Sequence, residues 1–187
     1  GSKKSNVFST FMMTPDFSHA LMDMCNDCLQ NVPKKSYKML NSSYIKKIMY
    51  YVESLKYKWP QKYNSTIDML LQDASQRINE RGLASSTNKG MVEIHYYNVD
   101  NECKRMFEDH QDDYGGVNYK VNTVIYYLKK DATINGGDLV VENQHIDIKP
   151  LKVVCFGGDA SHRITPLKGK GERLCIVVQL YCLNRPQ

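Results

Sequence analysis

From Met91 onward the chain is written in short apolar segments broken by Gly, Pro and Asn, with no stretch of helical period between them. The segments are Met91 to Tyr97, Val121 to Leu128, Asp138 to Val141, His145 to Ile148, Lys152 to Phe156 and Arg173 to Cys182. Most are rich in β-branched and aromatic residues, and Asn135-Gly136-Gly137 marks a turn ahead of the third. Strands that follow one another without intervening helices pair antiparallel. This predicts a sandwich or jelly roll rather than a parallel sheet.

Before about residue 90 the period is helical. Thr14-Pro15-Asp16 is a helix start with Pro in the first turn, and Phe17, Leu21, Met24, Cys25 and Cys28 paint one apolar face. The spacing predicts a second helix after Ser42-Ser43, burying Tyr44, Ile45, Ile48, Met49 and Val52. Ser65 with Asp68 predicts a capping box for a third helix, which runs through Ile67, Leu70, Leu71 and Ile78 to a stop at Gly82. Trp59-Pro60 belongs to the connection between them, and Ser85 to Gly90 reads as the link into the strands. The expectation is an α+β protein of one domain over 1–187, with 1–90 as helical support and 91–187 as the β-core.

The 187 residues suffice for one compact core, and the 42% hydrophobic and 24% charged shares are those of a globular domain. No apolar run is long enough for a membrane-spanning helix. The opening Gly1-Ser2 reads as a scar of tag removal, so the N-terminus carries no targeting information. A net charge of +5 reads as a lysine-rich surface, since no basic block marks a nucleic-acid track. Cys25 and Cys28 form a C-x-x-C within a helical pattern, without the second pair of a zinc site or the preceding strand of a redox motif. Cys155 and Cys175 sit in apolar runs as small buried hydrophobes. Reduced thiols of this kind favour an intracellular setting.

The chemistry must then sit on the β-core. In His110-Gln111-Asp112 an imidazole and a carboxylate stand two residues apart, and on an extended chain both point to one face. His162, just after the apolar Val153 to Phe156, is the candidate third partner, while His95 and His145 are set aside. Two histidines and one carboxylate describe a facial triad, which leaves metal positions open for a chelating co-substrate and dioxygen. Alone, H-x-D also fits a pair of surface polar residues plus a turn histidine.

Arg173 begins the last apolar strand, eleven residues after His162 and across a Pro/Gly/Lys-rich turn. If it points inward, a buried guanidinium demands a fixed anion, and its planar fork suits a carboxylate.

The order of motifs from about Met91 to Cys182 resembles the catalytic domain of the prolyl 4-hydroxylase superfamily, within it most of all the hypoxia-inducible-factor prolyl hydroxylases. The motifs are a Tyr-bearing strand, His110-Gln111-Asp112, Thr123-Val124-Ile125-Tyr126-Tyr127-Leu128, Asn135-Gly136-Gly137-Asp138-Leu139, Ile148-Lys149-Pro150, Val153-Val154-Cys155-Phe156, His162 and Arg173. The resemblance implies a double-stranded β-helix. It also implies Fe(II) on His110, Asp112 and His162, and 2-oxoglutarate on Arg173 with Tyr127 and Thr123, with ascorbate as an accessory. The activity it implies is hydroxylation of a protein or peptide substrate at a prolyl residue, using dioxygen and releasing succinate.

Departures bear on substrate. The stretch Asn98 to Asp109 is longer than its family counterpart and charged, reading as a loop beside the active-site mouth. Gln179 stands where prolyl hydroxylases often carry Trp. The first ninety residues match no signature. Two further readings share the fold: a nucleic-acid demethylase of the AlkB kind, which typically has a second Arg where Gln179 stands, and a binding module without turnover.

Overall fold

The computed structural model describes residues 3–4, 7–35, 42–103, 108–113 and 120–183. In chain order the elements are β1 (Lys3–Lys4), β2 (Phe8–Met12), α1 (Pro15–Leu29), β3 (Tyr44–Tyr51), α2 (Leu55–Lys58), α3 (Asn64–Asn79) and β4 (Ser85–Cys103). These are followed by β5 (Val121–Lys130), β6 (Ile134–Gly136), β7 (Leu139–Val141), β8 (Gln144–Ile146), β9 (Lys152–Gly157), β10 (His162–Ile164) and β11 (Leu167–Cys182). The larger sheet runs β1-β2-β9-β5-β11-β4-β3, with β6 also on β11. A smaller sheet runs β10-β7-β8.

All the strand pairs are antiparallel. The two sheets close on each other as a jelly roll, as the absence of helices between the strands predicts. Strand β5 sits deep in the larger sheet and is buried on both faces, so its side chains sort by parity. Val124, Tyr126 and Leu128 pack towards the helices with Leu21, Leu70 and Ile94. Ile125 and Tyr127 pack towards the smaller sheet with Leu139, Val141 and Ile146.

Helix α1 starts as expected, with Thr14 Oγ1 accepting from the Phe17 N–H at 3.2 Å. Helix α3 also forms, but the expected Ser65–Asp68 capping box does not. Its N-cap is Tyr63, Ser65 already lies in the first turn, and Asp68 pairs instead with Lys56 at 2.6 Å.

The predicted helix after Ser43 is strand β3, paired along its length with β4 from Tyr44↔Asn98 to Tyr51↔Met91. Ile48 and Tyr50 face the helices, whereas Ile45 joins a cluster with Tyr97 and Leu167 on the other face. Apolar residues on both faces erase the alternation of a strand and leave a spacing that mimics a helix. Strand β2 also lies in the half expected to be helical; it pairs with β9 from Phe8↔Phe156 to Met12↔Lys152.

Three predicted loops are strand as well. Ser85 to Gly90 opens β4 and pairs with the end of β11. A Cβ on Gly90 would lie 1.9 Å from the Gln179 carbonyl oxygen, so the glycine marks close backbone approach. Asn98 to Cys103 continues β4 and pairs with Leu167 to Glu172, the stretch expected to be a Pro/Gly/Lys turn. Gly169 and Gly171 there lie against Thr133 and Asp131. Lys104 and Arg105, named in the predicted loop, lie outside the described residues. The cysteines carry no disulfide among the described residues, with Cys25 and Cys28 both in α1. None of the described helices is long and apolar enough to cross a membrane.

Candidate active site

The inner face of the larger sheet is a grid of cross-strand rows. Lys47, His95, Cys175 and Tyr127 form one row, Met49, Glu93, Val177 and Ile125 the next, and Tyr51, Met91, Gln179 and Thr123 the third. A cavity of about 730 Å³ stands over this face, and the segment from Glu108 to Asp113 closes one side of it.

His110 is tied to β10 by a two-way backbone bridge with His162, at 3.0 and 2.9 Å. The Asp112 N–H donates to the Gly158 carbonyl at 2.8 Å. These anchors bring one ligand atom from each of His110, Asp112 and His162 within 4.8 Å of one another. Asp112 Oδ1 lies 3.4 Å from His162 Nε2 and 3.7 Å from His110 Nε2. The three predicted residues are therefore assembled, with His162 buried and His110 half-exposed at the mouth.

Both imidazoles are oriented by their own backbone. Nδ1 of His110 meets the Glu108 carbonyl, and Nδ1 of His162 meets the Ala160 carbonyl, each at 3.1 Å. A proton on each Nδ1 leaves both Nε2 lone pairs for a cation. Thr123 Oγ1 donates to Asp112 Oδ2 at 2.7 Å and leaves Oδ1 facing the imidazoles. Burial by itself would raise the Asp112 carboxyl, but its bond to His162, the Thr123 hydroxyl and the nearby His110 hold it below the usual carboxylate range. Burial likewise disfavours His162 as a cation, and its bond to Asp112 reverses this and raises it.

Arg173 also turns inward and is 0% exposed. It lies between the Tyr97 and Tyr127 rings, 5.5 and 5.6 Å from their centroids. One terminal nitrogen donates to the Gly137 carbonyl at 3.0 Å, and the other reaches the Cys175 sulfur at 3.9 Å. Among the described residues Nε has no partner, and no carboxylate pairs with the guanidinium. A buried guanidinium left in this state fits an anion brought by a ligand. Tyr127 is buried beside it, and burial pushes its phenol well above the ordinary range, so it stands as a neutral O–H.

No family model and no curated protein matches the sequence. Solved structures do match. A prolyl 4-hydroxylase from Phytophthora capsici aligns with a TM-score of 0.60 at 20% identity, over 94% of this chain and 58% of that one. A prolyl hydroxylase from Trichoplax adhaerens, solved with a hypoxia-inducible-factor oxygen-degradation-domain peptide, gives 0.58 at 16% identity, over 95% and 88%. AviO1 from Streptomyces viridochromogenes gives 0.64 at 12% identity, over 97% and 92%. The fold is that of the prolyl 4-hydroxylases and 2-oxoglutarate-Fe(II) oxygenases.

On this oxygenase fold the structure adds Glu93 to the site and brings back His95, which the sequence set aside. His95 and Glu93 both line the cavity, with His95 Nε2 3.1 Å from Glu93 Oε2 and Lys47 Nζ 3.6 Å from Oε1. The signal was available, because E-x-H on a strand has the same two-residue spacing as H-x-D. A second group, Asp138, His145 and Asp147, brings ligand atoms equally close. The Asp138 carboxylate, however, already holds His145 at 2.9 Å, the Ile148 N–H at 3.4 Å and Lys130 at 3.5 Å. That cluster ties the β7–β8 hairpin together.

Proposed function

We propose that the chain is an Fe(II)- and 2-oxoglutarate-dependent dioxygenase that hydroxylates a protein substrate at a prolyl residue. The observation that carries this reading is Arg173, a buried guanidinium with an unpartnered Nε, in one cavity with two imidazoles and a carboxylate. A facial triad alone fits several metals, and a buried cation alone fits any anion. Together they fit a metal-chelating dicarboxylate.

His110, Asp112 and His162 would hold the iron, and Arg173 with the Tyr127 hydroxyl would hold the far carboxylate of 2-oxoglutarate. When bound, the pair supplies oxidative decarboxylation to succinate and carbon dioxide, coupled to transfer of one oxygen atom of dioxygen into a substrate C–H bond. The chain sets up this chemistry in advance. Glu108 and Ala160 fix the imidazole tautomers, and Thr123 fixes the carboxylate. Thr123, expected at the 2-oxoglutarate, lines the same cavity, and its hydroxyl bond to Asp112 would also steady the carboxylate that holds the metal. Ile125, Leu139, Ile164 and Val177 line the cavity with apolar surface and exclude water from the reacting groups.

A protein substrate is supported by the peptide-bound Trichoplax neighbour, and a prolyl target by the prolyl hydroxylases among the neighbours. The nucleic-acid alternative is disfavoured by the lining. Five carboxylates, at Glu93, Glu108, Asp109, Asp112 and Asp113, stand against the cations Lys47 and Arg173, and repel phosphates.

The test is an anaerobic titration with Fe(II) and 2-oxoglutarate, followed by succinate release in air with proline-containing peptides and with alkylated oligonucleotides. A visible charge-transfer band and peptide-stimulated succinate are expected, both lost in His110→Ala. Adding ascorbate to the same assay tests its accessory role. No band and no succinate with any substrate overturns the reading, and stimulation by oligonucleotide alone reassigns the substrate.

A further inference from the structure

The triad and Arg173 leave one part of the cavity without a task. The smaller sheet packs over β5, β9 and β11, while the inner face of β4 and β3 lies beyond its contacts. There the cavity opens, with Lys47 43% and Met49 50% exposed.

Glu93 stands in the middle of that uncovered face. Its cross-strand neighbours Met49 and Val177 are apolar, and its side chain is only 15% exposed. A carboxylate in such a row gives up hydration that an aliphatic residue would not need. Neither Arg173 nor any triad residue hydrogen-bonds to it among the described residues. One oxygen, Oε2, is held by His95 at 3.1 Å. Among the described residues the other, Oε1, meets only the Lys47 ammonium at 3.6 Å, longer than a hydrogen bond and on a stem that swings freely into water. His95 is itself nearly buried, with a side chain 12% exposed, so it braces the carboxylate against the sheet. Asp109 and Asp113, also on the wall, are already engaged, Asp109 by Arg163 at 3.3 Å and Asp113 by the Val121 N–H at 2.9 Å. Outside the triad, Glu93 is a largely buried lining carboxylate, braced on one oxygen and weakly paired on the other.

We infer that Glu93 is the specificity-determining residue of this cavity, and that its Oε1 receives a substrate cation, an ammonium or guanidinium next to the carbon to be hydroxylated. The inference rests on the dioxygenase reading above and adds to it the charge of the substrate. Lys47 holds the place of that cation in the free protein and is displaced when the substrate enters. The cation has two possible sources: a basic side chain beside the target proline in a peptide, or the α-ammonium of a free amino acid.

The experiment measures binding to the protein loaded anaerobically with Fe(II) and 2-oxoglutarate, using end-capped peptides with Lys, norleucine or Glu beside one proline. The wild type is expected to bind the Lys peptide roughly tenfold tighter than the norleucine peptide, and the Glu peptide weakest. Glu93→Gln keeps the shape and the bond to His95, and is expected to abolish the preference while leaving the charge-transfer band unchanged. Lys47→Gln removes the competing cation and is expected to tighten binding of the Lys peptide, so the prediction survives if one variant folds poorly. Free proline that displaces the Lys peptide in a Glu93-dependent way assigns the cation to an α-ammonium. Failure to displace assigns it to a side chain. A wild type that gives the band but binds the three peptides equally, or a Glu93→Gln that weakens all three alike, overturns the inference. Absence of the band in the wild type overturns the iron reading instead.

Discussion

Thr123 on β5 donates a 2.7 Å hydrogen bond to Asp112 Oδ2 on the opposite wall of the cavity, and so decides which carboxylate oxygen faces the two imidazoles. Without that bond the carboxylate is free to rotate, and Oδ1 no longer points at His162 in most of its rotamers. Thr123→Val keeps the branched shape and removes the donor. Its affinity for Fe(II), or for Co(II) as a spectroscopic substitute, is expected to fall about 10- to 100-fold, with Thr123→Ser close to wild type. Equal metal affinity in the Val variant would show that the backbone anchor at Gly158 suffices to hold Asp112.

Gly137 has a conformational and a steric reason to be glycine. Its φ is +72°, and a Cβ there would lie 2.4 Å from a Leu167 methyl and 3.1 Å from Arg173 Nε. Its carbonyl also accepts from the guanidinium. Gly137→Ala is expected to cost roughly 1–3 kcal/mol of stability. Because the new methyl pushes on Arg173, the affinity for 2-oxoglutarate is expected to fall more than that for metal. Calorimetric titrations of the two ligands on the same variant separate these effects; an equal loss of both would point to general unfolding.

Much of the core was legible because its strands are regular. Val121 to Leu128 and Lys152 to Phe156 combine β-branched residues with clear turn signals, and they lie where expected. The triad was legible because H-x-D has the strand period, and Arg173 because a charge heading an apolar run is conspicuous. Strand β3 was not legible, since the helices cover one face and the cavity lines the other, so both carry apolar side chains. The glycines at 90, 169 and 171 read as loop although they sit in strands. What they report is the approach of a neighbouring backbone, which depends on residues distant in sequence. Glu93 was missed for a further reason: its task depends on which part of the sheet the smaller sheet leaves uncovered.

Glu172 ties β11 to its two neighbouring strands, accepting from Lys129 at 2.8 Å and from the Tyr96 hydroxyl at 2.5 Å. The bond to Lys129 and that to Tyr96 hold its carboxyl below the ordinary value. A depressed folded pKa contributes stability that is fully present above the unfolded value of about 4.3, and that is lost as pH falls through the folded value. Glu172→Gln is therefore expected to be less heat-stable than wild type from pH 7 to about 5, with the gap closing below about pH 4. Thermal melts of both proteins across that range check it, and a gap that stays constant into acid would remove the ionised carboxylate from the account.

Arg173 sets stability against function. A guanidinium that is fully buried, with an unpartnered Nε and no carboxylate beside it among the described residues, costs folding energy that an aliphatic side chain of similar length does not. Arg173→Met is therefore expected to raise the stability of the ligand-free protein by about 1–3 kcal/mol, read as a rise of several degrees in Tm. In the same variant, 2-oxoglutarate is expected to lose its affinity. In the wild type, saturating 2-oxoglutarate with metal raises Tm by mass action, whereas the variant is expected to show no response beyond that to metal alone. Arg173→Lys keeps the charge without the planar fork, and is expected to recover neither the stability of Met nor the affinity of Arg. A Met variant that melts lower than wild type and still responds to 2-oxoglutarate would make Arg173 a structural residue and move the anion site elsewhere.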